Sequence, residues 1–164
     1  MSGPTAQFDD VATTYDDHRQ FPADVGERLR DAVVARLPAG DAPLLLEIGV
    51  GTGRVAEPFV RAGCRYVGLD GSAAMLRRCR EKLGGAAGGN LALVRGDMRL
   101  LPFPSGWFDA VIAAGVFRPF LRRPLPAGGD GETTAAPSWR SAAIEAGRVL
   151  RRPGVLALVK HRPE

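Results

Sequence analysis

The sequence predicts an α/β protein built on a doubly wound parallel sheet, and three observations support that class. Short apolar runs alternate with amphipathic segments over most of the chain. The 21 glycines and 13 prolines fall between these runs, so they separate the elements without interrupting them. The first apolar run, Leu44–Ile48, leads into a turn with glycine at every second position, which is typical of a ligand-binding strand-to-helix turn.

The N-terminal third is predicted to hold an arm, a helix and the opening strand. Residues 1–21 are polar with a few aromatic side chains. Apolar residues then recur with helical spacing over 24–37, which predicts an amphipathic helix. A Pro-Ala-Gly-Asp stretch ends this helix before the first strand at Leu44–Ile48. We therefore expect an arm followed by one domain, 22–164, in keeping with the length of the chain.

The remaining elements alternate between strand and helix. Their predicted bounds are a helix at 52–62, a strand at 66–69, a helix at 72–83, strands at 91–94 and 108–113, a helix at 138–150 and a strand at 155–160. Prolines and glycines interrupt 95–107 and 119–137, which are predicted as loops. The second loop is either an insertion beside a substrate pocket or disordered. Five strands joined by crossovers predict a parallel sheet with its ligand outside the strands' carboxyl ends.

The composition is that of a globular domain, with 45% hydrophobic and 24% charged residues and a formal net charge of +4. The arginines gather in two groups, which are Arg118, Arg122 and Arg123 and then Arg148, Arg151 and Arg152. We interpret both groups as solvated surface, the alternative being a site for an anionic substrate or nucleic acid. Aromatic residues do not alternate with them as a nucleic-acid stacking surface would require, so we expect no nucleic-acid partner.

Neither a metal site nor a membrane span is predicted. Cys64 and Cys79 lack metal-ligand spacing, and the histidines are His18 and His161 alone. We interpret the two thiols as small buried side chains. The N-terminus has no basic segment followed by an apolar one, and no apolar run approaches the roughly eighteen residues of a membrane helix. The expected location is cytoplasmic.

Three polar positions are predicted to lie at the carboxyl ends of adjacent strands. The turn Gly49-x-Gly51-x-Gly53 follows the first strand, although such turns also serve simply to pack a helix against a strand. Asp70 ends the second strand. There it can accept hydrogen bonds from both hydroxyls of a ribose, or it can cap the next helix, a role that Ser72 can also fill.

Asp97, just past the third strand, is the third of these positions. Its carboxylate can accept from the exocyclic amine of a base, or it can form an Asx turn. Together the three positions predict one elongated ligand, with a chain-like or phosphate end at the glycines, a ribose at Asp70 and a base at Asp97. Arg54 stands where a dinucleotide-binding turn carries a third glycine or alanine, which counts against a nicotinamide cofactor.

At these residues the sequence resembles a known family. The matching motifs are Glu47-x-Gly49-x-Gly51-x-Gly53, Gly68-Leu69-Asp70-x-Ser72-x-x-Met75, Gly96-Asp97-Met98, Leu101-Pro102-Phe103, Phe108-Asp109 and Arg148-Val149-Leu150-x-x-Pro153-Gly154. In this order they are similar to the class I S-adenosylmethionine-dependent methyltransferases, above all the small-molecule branch often called type 11, which includes ubiquinone and menaquinone biosynthesis methyltransferases. The resemblance covers about residues 44–159.

The resemblance implies a Rossmann-like sheet with strand order 3-2-1-4-5 and S-adenosyl-L-methionine as cofactor, with S-adenosyl-L-homocysteine as product. It also implies in-line methyl transfer to a small-molecule acceptor, which depends mainly on proximity, alignment and exclusion of water. The cofactor-binding residues that it implies are Tyr15, Glu47, Gly49, Gly51, Gly53, Asp70, Gly71, Met75, Asp97, Met98, Ala113 and Ala114.

By position in the family pattern, Glu47 would help to orient the methionine end of the cofactor, directly or through water, while the glycines wrap it. Asp70 would hold the ribose. Asp97 and the backbone of Met98 would read the adenine edge. Met75 would pack near the adenine, although its spacing in the helix predicts ordinary core at least as well.

Two further positions follow from the resemblance. Ala113 and Ala114 would lie near the methyl group, where relatives often carry a histidine close to the positions of Arg118 and Pro119. This chain has no histidine there, so no catalytic residue is assigned. Tyr15 belongs to a segment similar to one that forms a lid over the cofactor in relatives, and a mobile polar terminus is the competing interpretation.

The C-terminus departs from the family pattern. Members usually continue past the fifth strand with another helix and two strands, including an antiparallel hairpin that covers the sheet edge, whereas this sequence stops at Glu164. Without that hairpin, residues 156–159 would form a bare apolar edge that invites a homodimer, domain swapping or aggregation. Either the sequence is part of a longer chain, or a partner chain covers the edge.

Three functions are therefore weighed. A small-molecule methyltransferase is the leading hypothesis. A catalytically silent S-adenosylmethionine-binding or scaffold protein is the alternative, because the family's C-terminal part and its histidine are missing. An NAD-binding oxidoreductase is third, because Arg54 occupies the helix-packing position of the dinucleotide turn.

Overall fold

The computed structural model describes residues 24–115 and 139–159, which form a five-stranded sheet and its packed helices. In chain order the elements are α1 (Val25–Val34), β1 (Leu44–Ile48), α2 (Ala56–Arg61), β2 (Arg65–Asp70), α3 (Ala73–Leu83), β3 (Leu91–Arg95), β4 (Phe108–Ala114), α4 (Trp139–Val149) and β5 (Leu150–Val159). The strand order is β3-β2-β1-β4-β5 and every pairing is parallel. The predicted fold class and strand order are confirmed.

The central strand β1 is buried on both faces of the sheet. Leu45 belongs to a cluster with Phe59 and Tyr66, beneath α1, α2 and α3. Leu46 and Ile48 belong to a second cluster on the other face, with residues of α4 and of the connection that precedes β4. A strand covered on both faces has no need of polar alternation, which explains why β1 is a continuous apolar run.

Helix α2 begins at Ala56, four residues later than predicted. The cause is the preceding turn, because Gly53 has a φ of +84°, a left-handed conformation that a right-handed helix does not include. The N–H of Gly53 donates to the carbonyl of Val50 at 3.0 Å, which closes the turn. The predicted helix start at residue 52 is therefore wrong, and α2 is a short helix of six residues.

Strand β5 lies at one edge of the described sheet, next to β4. Its pairing with β4 shifts register, because Leu150 pairs with Phe108 and the next matched residue is Val155. Beyond this irregularity the side chains of Leu156 and Leu158 are 44% and 63% exposed. The exposure agrees with the apolar edge that the sequence predicts.

Several other predictions concern the part of the chain beyond these ranges. The N-terminal arm with Tyr15 and the loop at 119–137 lie outside the described residues.

Within 24–115 and 139–159, no helix has the length and apolar character needed to cross a membrane. In the same ranges no cluster of three or more His, Cys, Asp or Glu side chains could hold a metal ion. Cys64 and Cys79 are free and buried, as predicted.

Candidate functional site

The glycine turn after β1 is held against the end of β2. Gly49 and Gly51 have φ values of +73° and +55°, in a region that L side chains rarely adopt. The N–H groups of Gly49 and Val50 both donate to the carbonyl of Leu69, at 2.7 and 3.1 Å. A Cβ on Gly51 would meet no heavy atom within 4 Å, so open space lies beside the turn. The turn thus presents backbone to a space in which a ligand can lie.

Asp70 connects the ends of three strands. Its carboxylate accepts from the N–H of Gly51 at 2.9 Å and from the N–H of Ser72 at 2.9 Å. Its own carbonyl accepts from the N–H of Gly96, after β3, at 3.1 Å. Ser72 is the residue that caps α3, since its hydroxyl accepts from the N–H of Met75 at 3.1 Å. Of the two roles open to Asp70 in the sequence, helix capping is therefore taken by Ser72.

Two further glycines allow these segments to approach one another. A Cβ on Gly68 would lie 2.9 Å from both methyl groups of Val50, and a Cβ on Gly96 would lie 3.0 Å from a methyl group of Leu69. Gly71, beyond the end of β2, accepts at its carbonyl from the Arg95 guanidinium at 3.2 Å. The absence of side chains at 68 and 96 keeps the loops after β1, β2 and β3 close together.

Glu47 is a buried acid in the middle of the sheet. It is the penultimate residue of β1, and only 1% of its surface is exposed. The hydroxyl of Tyr66, in β2, donates to Glu47 Oε2 at 3.0 Å. Burial raises the pKa of Glu47 to about 8, and the negative charge of Asp70 adds to the rise, while the Tyr66 hydrogen bond and the charge of Arg54 oppose it. The carboxyl is thus mainly protonated at neutral pH.

Tyr66 is a site residue that sequence reasoning missed. It stands two residues before Gly68, which pairs with Glu47 across the sheet, so Tyr66 and Glu47 are on the same face. A buried tyrosine hydroxyl usually finds a hydrogen-bond partner, and Glu47 is the buried carboxyl beside it. The signal available in the sequence was a tyrosine at the start of the predicted strand 66–69, directly after a first strand that contains the acid Glu47.

Asp97 lies at the end of β3 but is engaged locally. Its carboxylate accepts from the backbone N–H of Arg99 at 2.8 Å and forms an ion pair with the Arg99 guanidinium. These hydrogen bonds lower the pKa of Asp97. The geometry corresponds to the Asx-turn alternative for Asp97. Met98 is half-buried and packs against the second apolar cluster.

The remaining predicted residues lie at the same edge of the sheet or beneath it. Ala113, in β4, pairs with Ile48 at the end of β1, and Ala114 is the last residue of β4. Both alanines are therefore level with the glycine turn. Met75 is buried in the first turn of α3, with 2% of its surface exposed. This burial fits the core interpretation of Met75.

The connection between β3 and β4 is held by a pair of side chains from α4. Arg148 donates to the carbonyls of Leu101 and Phe103, at 2.9 and 2.8 Å, and to Glu145 at 2.7 Å. Glu145 in turn accepts from the N–H of Leu101 at 2.8 Å. The interpretation of Arg148 as solvated surface holds only in part, because its side chain is 33% exposed while its guanidinium donates to carbonyls of a loop far away in sequence. Arg152 is exposed as predicted.

The comparisons with known proteins agree with this geometry. Residues 45–127, about half of the chain, match the methyltransferase-domain family. The demethylmenaquinone methyltransferase of Thermobifida fusca (strain YX) is 39% identical over 107 residues, a match that covers 65% of this chain and 45% of that protein. The chain thus spans less than half the length of this curated relative.

Solved structures give the same result. The CcbJ methyltransferase from Streptomyces caelestis is 34% identical with a TM-score of 0.55, over 65% of this chain and 43% of that one. A structure from Methanococcus maripaludis, described as an S-adenosyl-L-methionine-dependent methyltransferase, has a TM-score of 0.70 over 96% of this chain and 67% of that one. At 17% identity this second likeness shows the fold alone.

The parallel sheet, the glycine turn and the acid at the end of β2 define a Rossmann-like nucleotide-binding protein. The chain belongs to the methyltransferase-domain family, and its resemblance to the class I S-adenosylmethionine-dependent methyltransferases of the menaquinone and ubiquinone type is confirmed. S-adenosylmethionine is the cofactor that this family membership implies.

Proposed function

We propose that the protein binds S-adenosylmethionine at the carboxyl edge of its sheet and transfers the methyl group in line to a small-molecule acceptor. The observation that carries the proposal is the position of Asp70, whose carboxylate joins the glycine turn to the loop after β2. Each carboxylate oxygen can accept more than one hydrogen bond, so Asp70 can hold the turn and bind ribose hydroxyls together. The donor and acceptor set fits the cofactor.

The other residues of the site fit the remaining parts of that cofactor. Gly49, Gly51 and Gly53 would wrap its methionine end, since all three have positive φ values and open space lies beside Gly51. Glu47 would face the ammonium of that end, with Gly71 beside the ribose. The other residues that would contact the cofactor are Met75, Asp97, Met98, Ala113, Ala114 and, from the arm, Tyr15.

When bound, the cofactor supplies a methyl group on a positively charged sulfur, which needs no activation by the protein. The chain would act by holding the methyl group in line with the acceptor and by excluding water. Ala113 and Ala114 at the end of β4 are small and carry no titratable group, so they can leave room for the acceptor. The name of the Thermobifida relative supports a small-molecule acceptor.

Calorimetric titration with S-adenosylmethionine and S-adenosylhomocysteine tests the proposal. We expect micromolar-range dissociation constants for a folded sample. Asp70→Ala should weaken binding by about tenfold or more, because two backbone donors and the ribose lose their acceptor. Asp31→Ala, on the exposed side of α1, is the matched control and should bind like the wild type. A folded wild-type protein that binds neither compound would contradict the proposal.

A cofactor-binding protein without methyl transfer is the second candidate. It is favoured by the end of β4, where the described residues 113–115 are two alanines and a glycine and offer no acid or base. Incubation with labelled S-adenosylmethionine and a panel of quinone precursors and other small acceptors distinguishes the two. Transfer of label to any acceptor supports the enzyme, and binding without transfer to any of them supports the silent protein.

We also propose a homodimer through β5. The exposed Leu156 and Leu158 form an apolar surface on β5, at the edge of the described sheet. Pairing of two edge strands would bury part of this surface. Light scattering should give a dimer mass for the wild type and a monomer mass for Leu158→Lys, and a monomeric wild type at high micromolar concentration would contradict the dimer.

A further inference from the structure

The strongest feature that the expected cofactor contacts do not explain is Tyr66, a buried residue that is paired with Glu47 and is not itself one of those contacts. Both side chains are 1% exposed, and the Tyr66 hydroxyl donates to Glu47 Oε2 at 3.0 Å. A carboxyl and a phenol in an apolar core are costly unless they satisfy one another or a ligand. Since a carboxylate offers about four acceptor positions, a single tyrosine hydroxyl leaves room for another donor.

The surroundings of Glu47 decide its charge. The titratable and charged groups that face it are Tyr66 and Asp70 from β2, Cys79 from α3 and Arg54 from the turn. Burial raises the pKa values of Tyr66 and Cys79 as well, so both stay neutral. The charge of Asp70 raises the pKa of Glu47 and the charge of Arg54 lowers it. Burial has the largest effect on this pKa, and it keeps the carboxyl protonated in the free protein.

Binding of a cation beside Glu47 would shift its carboxyl from the protonated to the ionised form. The proposed function places the methionine end of the cofactor, which carries an ammonium, beside the glycine turn. An ammonium that reaches the buried carboxyl favours the ionised form, because an opposite charge in a water-poor site stabilises it strongly. The tyrosine hydroxyl already donates to the oxygen that would hold the new charge, so it is oriented for the ionised form before the ligand arrives.

We propose that Tyr66 is a positioning residue that orients Glu47 for the cofactor's ammonium, and that Glu47 releases its proton to solvent when the cofactor binds. This inference rests on the proposed function. One O–H bond of the Glu47 carboxyl breaks, the proton passes to buffer, and one ammonium–carboxylate pair forms. Cofactor affinity is therefore coupled to pH through a side chain that is buried beneath the turn.

The consequence is a defined pH dependence. Below the pKa of Glu47 a proton must leave before the pair can form, so the dissociation constant should fall by up to about tenfold per pH unit between pH 6 and 7.5. Removal of the tyrosine hydroxyl withdraws a donor that favours the ionised form, so it should move the pH profile upwards. A purely structural role for Tyr66 would instead weaken binding equally at all pH values.

Calorimetry with S-adenosylhomocysteine at pH 6.5, in phosphate and in imidazole buffer, counts the protons released on binding. We expect close to one proton per cofactor for the wild type and for the matched control Glu81→Gln, an exposed acid of α3. Glu47→Gln should release none. Tyr66→Phe should bind about tenfold more weakly at pH 6.5 and recover part of that loss only above about pH 8, where the wild-type carboxyl is already ionised without a ligand.

The outcomes separate this inference from the function on which it rests. A wild type that binds S-adenosylhomocysteine at no pH contradicts the proposed function. Binding without proton release, or a Tyr66→Phe variant that is weakened by the same factor at every pH, overturns the role of the pair while leaving the function in place. Because the proton count is measured on the wild type, the inference stays testable even where a variant fails to fold.

Discussion

The backbone N–H of Gly51 donates to the Asp70 carboxylate at 2.9 Å, which joins the turn after β1 to the end of β2. The second carboxylate oxygen accepts from Ser72, in the loop after β2. Both oxygens of the side chain proposed to bind ribose therefore also fix the loops around the ribose position. The shape of the site and its affinity for the cofactor depend on the same carboxylate.

Asp70→Asn should affect both properties. The amide keeps one acceptor oxygen, so either Gly51 or Ser72 faces an NH₂ group and loses its hydrogen bond. We expect a loss of about 1–3 kcal/mol in the free energy of unfolding and a dissociation constant about tenfold higher or more. Ser72→Ala removes the helix cap and should cost about 1 kcal/mol with little change in affinity. Urea denaturation and calorimetry measure the two effects, and an Asp70→Asn variant with wild-type affinity would exclude a role for this carboxylate in binding.

Glu47 should make the protein less stable as the pH rises through the neutral range. The unfolded carboxyl has its ordinary pKa of 4.5, whereas burial raises the pKa of the folded one to about 8. Between these values the folded state holds a proton that the unfolded state has lost, so the free energy of unfolding falls as pH rises, by at most about 1.4 kcal/mol per unit. Above pH 8 both states are ionised and the dependence ends.

Glu47→Gln isolates this contribution, because the amide does not titrate. The difference in unfolding free energy between wild type and variant, measured by urea denaturation from pH 5 to 9, should change steadily up to about pH 8 and then level off. A constant difference over this range would show that Glu47 is ionised in the folded state.

The sequence was sufficient to predict the features that depend on local pattern. The bounds of β1 follow from a run of apolar residues, and the three polar positions follow from the ends of three such runs. The start of α2 could not be predicted in this way. It depends on the left-handed conformation of Gly53, a residue that lies close to side chains of α3.

Contacts between segments that are distant in the sequence could not be predicted from local pattern either. Tyr66 faces Glu47 only because β2 pairs with β1 in one particular register. Arg148 reaches Phe103 across 45 residues of sequence. Asp97 shows the opposite case, since its contact with Arg99 two residues later corresponds to the Asx turn that the sequence left open.

Arg148 should control the order of the connection between β3 and β4. Arg148→Ala leaves the carbonyls of Leu101 and Phe103 without their guanidinium and Glu145 without its ion pair. We expect amide exchange in residues 100–106 to accelerate by about tenfold or more, as in other segments that open locally. Arg152→Ala is the matched control, because it removes an exposed arginine from β5, the strand that follows α4. Equal exchange rates in the two variants would show that other contacts hold the loop.

Gly53 and Gly51 offer a test of how the turn is built. Both have positive φ values, so an alanine at either position should cost about 1–2 kcal/mol in backbone strain. Only at Gly53 would the new Cβ also collide with α3, lying 2.7 Å from Cys79 Sγ and 2.7 Å from Leu83 Cδ1. The collision should add about 1–3 kcal/mol, so Gly53→Ala should be the more destabilising of the two.

A double-mutant cycle separates the cost of this collision from the cost of backbone strain. Cys79→Ala removes the sulfur atom, so Gly53→Ala should cost less in that background, with a coupling of about 1 kcal/mol, whereas Gly51→Ala should cost the same in both. Urea denaturation without cofactor gives the four differences. If both glycines show equal losses and no coupling to Cys79, backbone strain alone sets the requirement for glycine, and close packing of α3 against the turn contributes nothing to it.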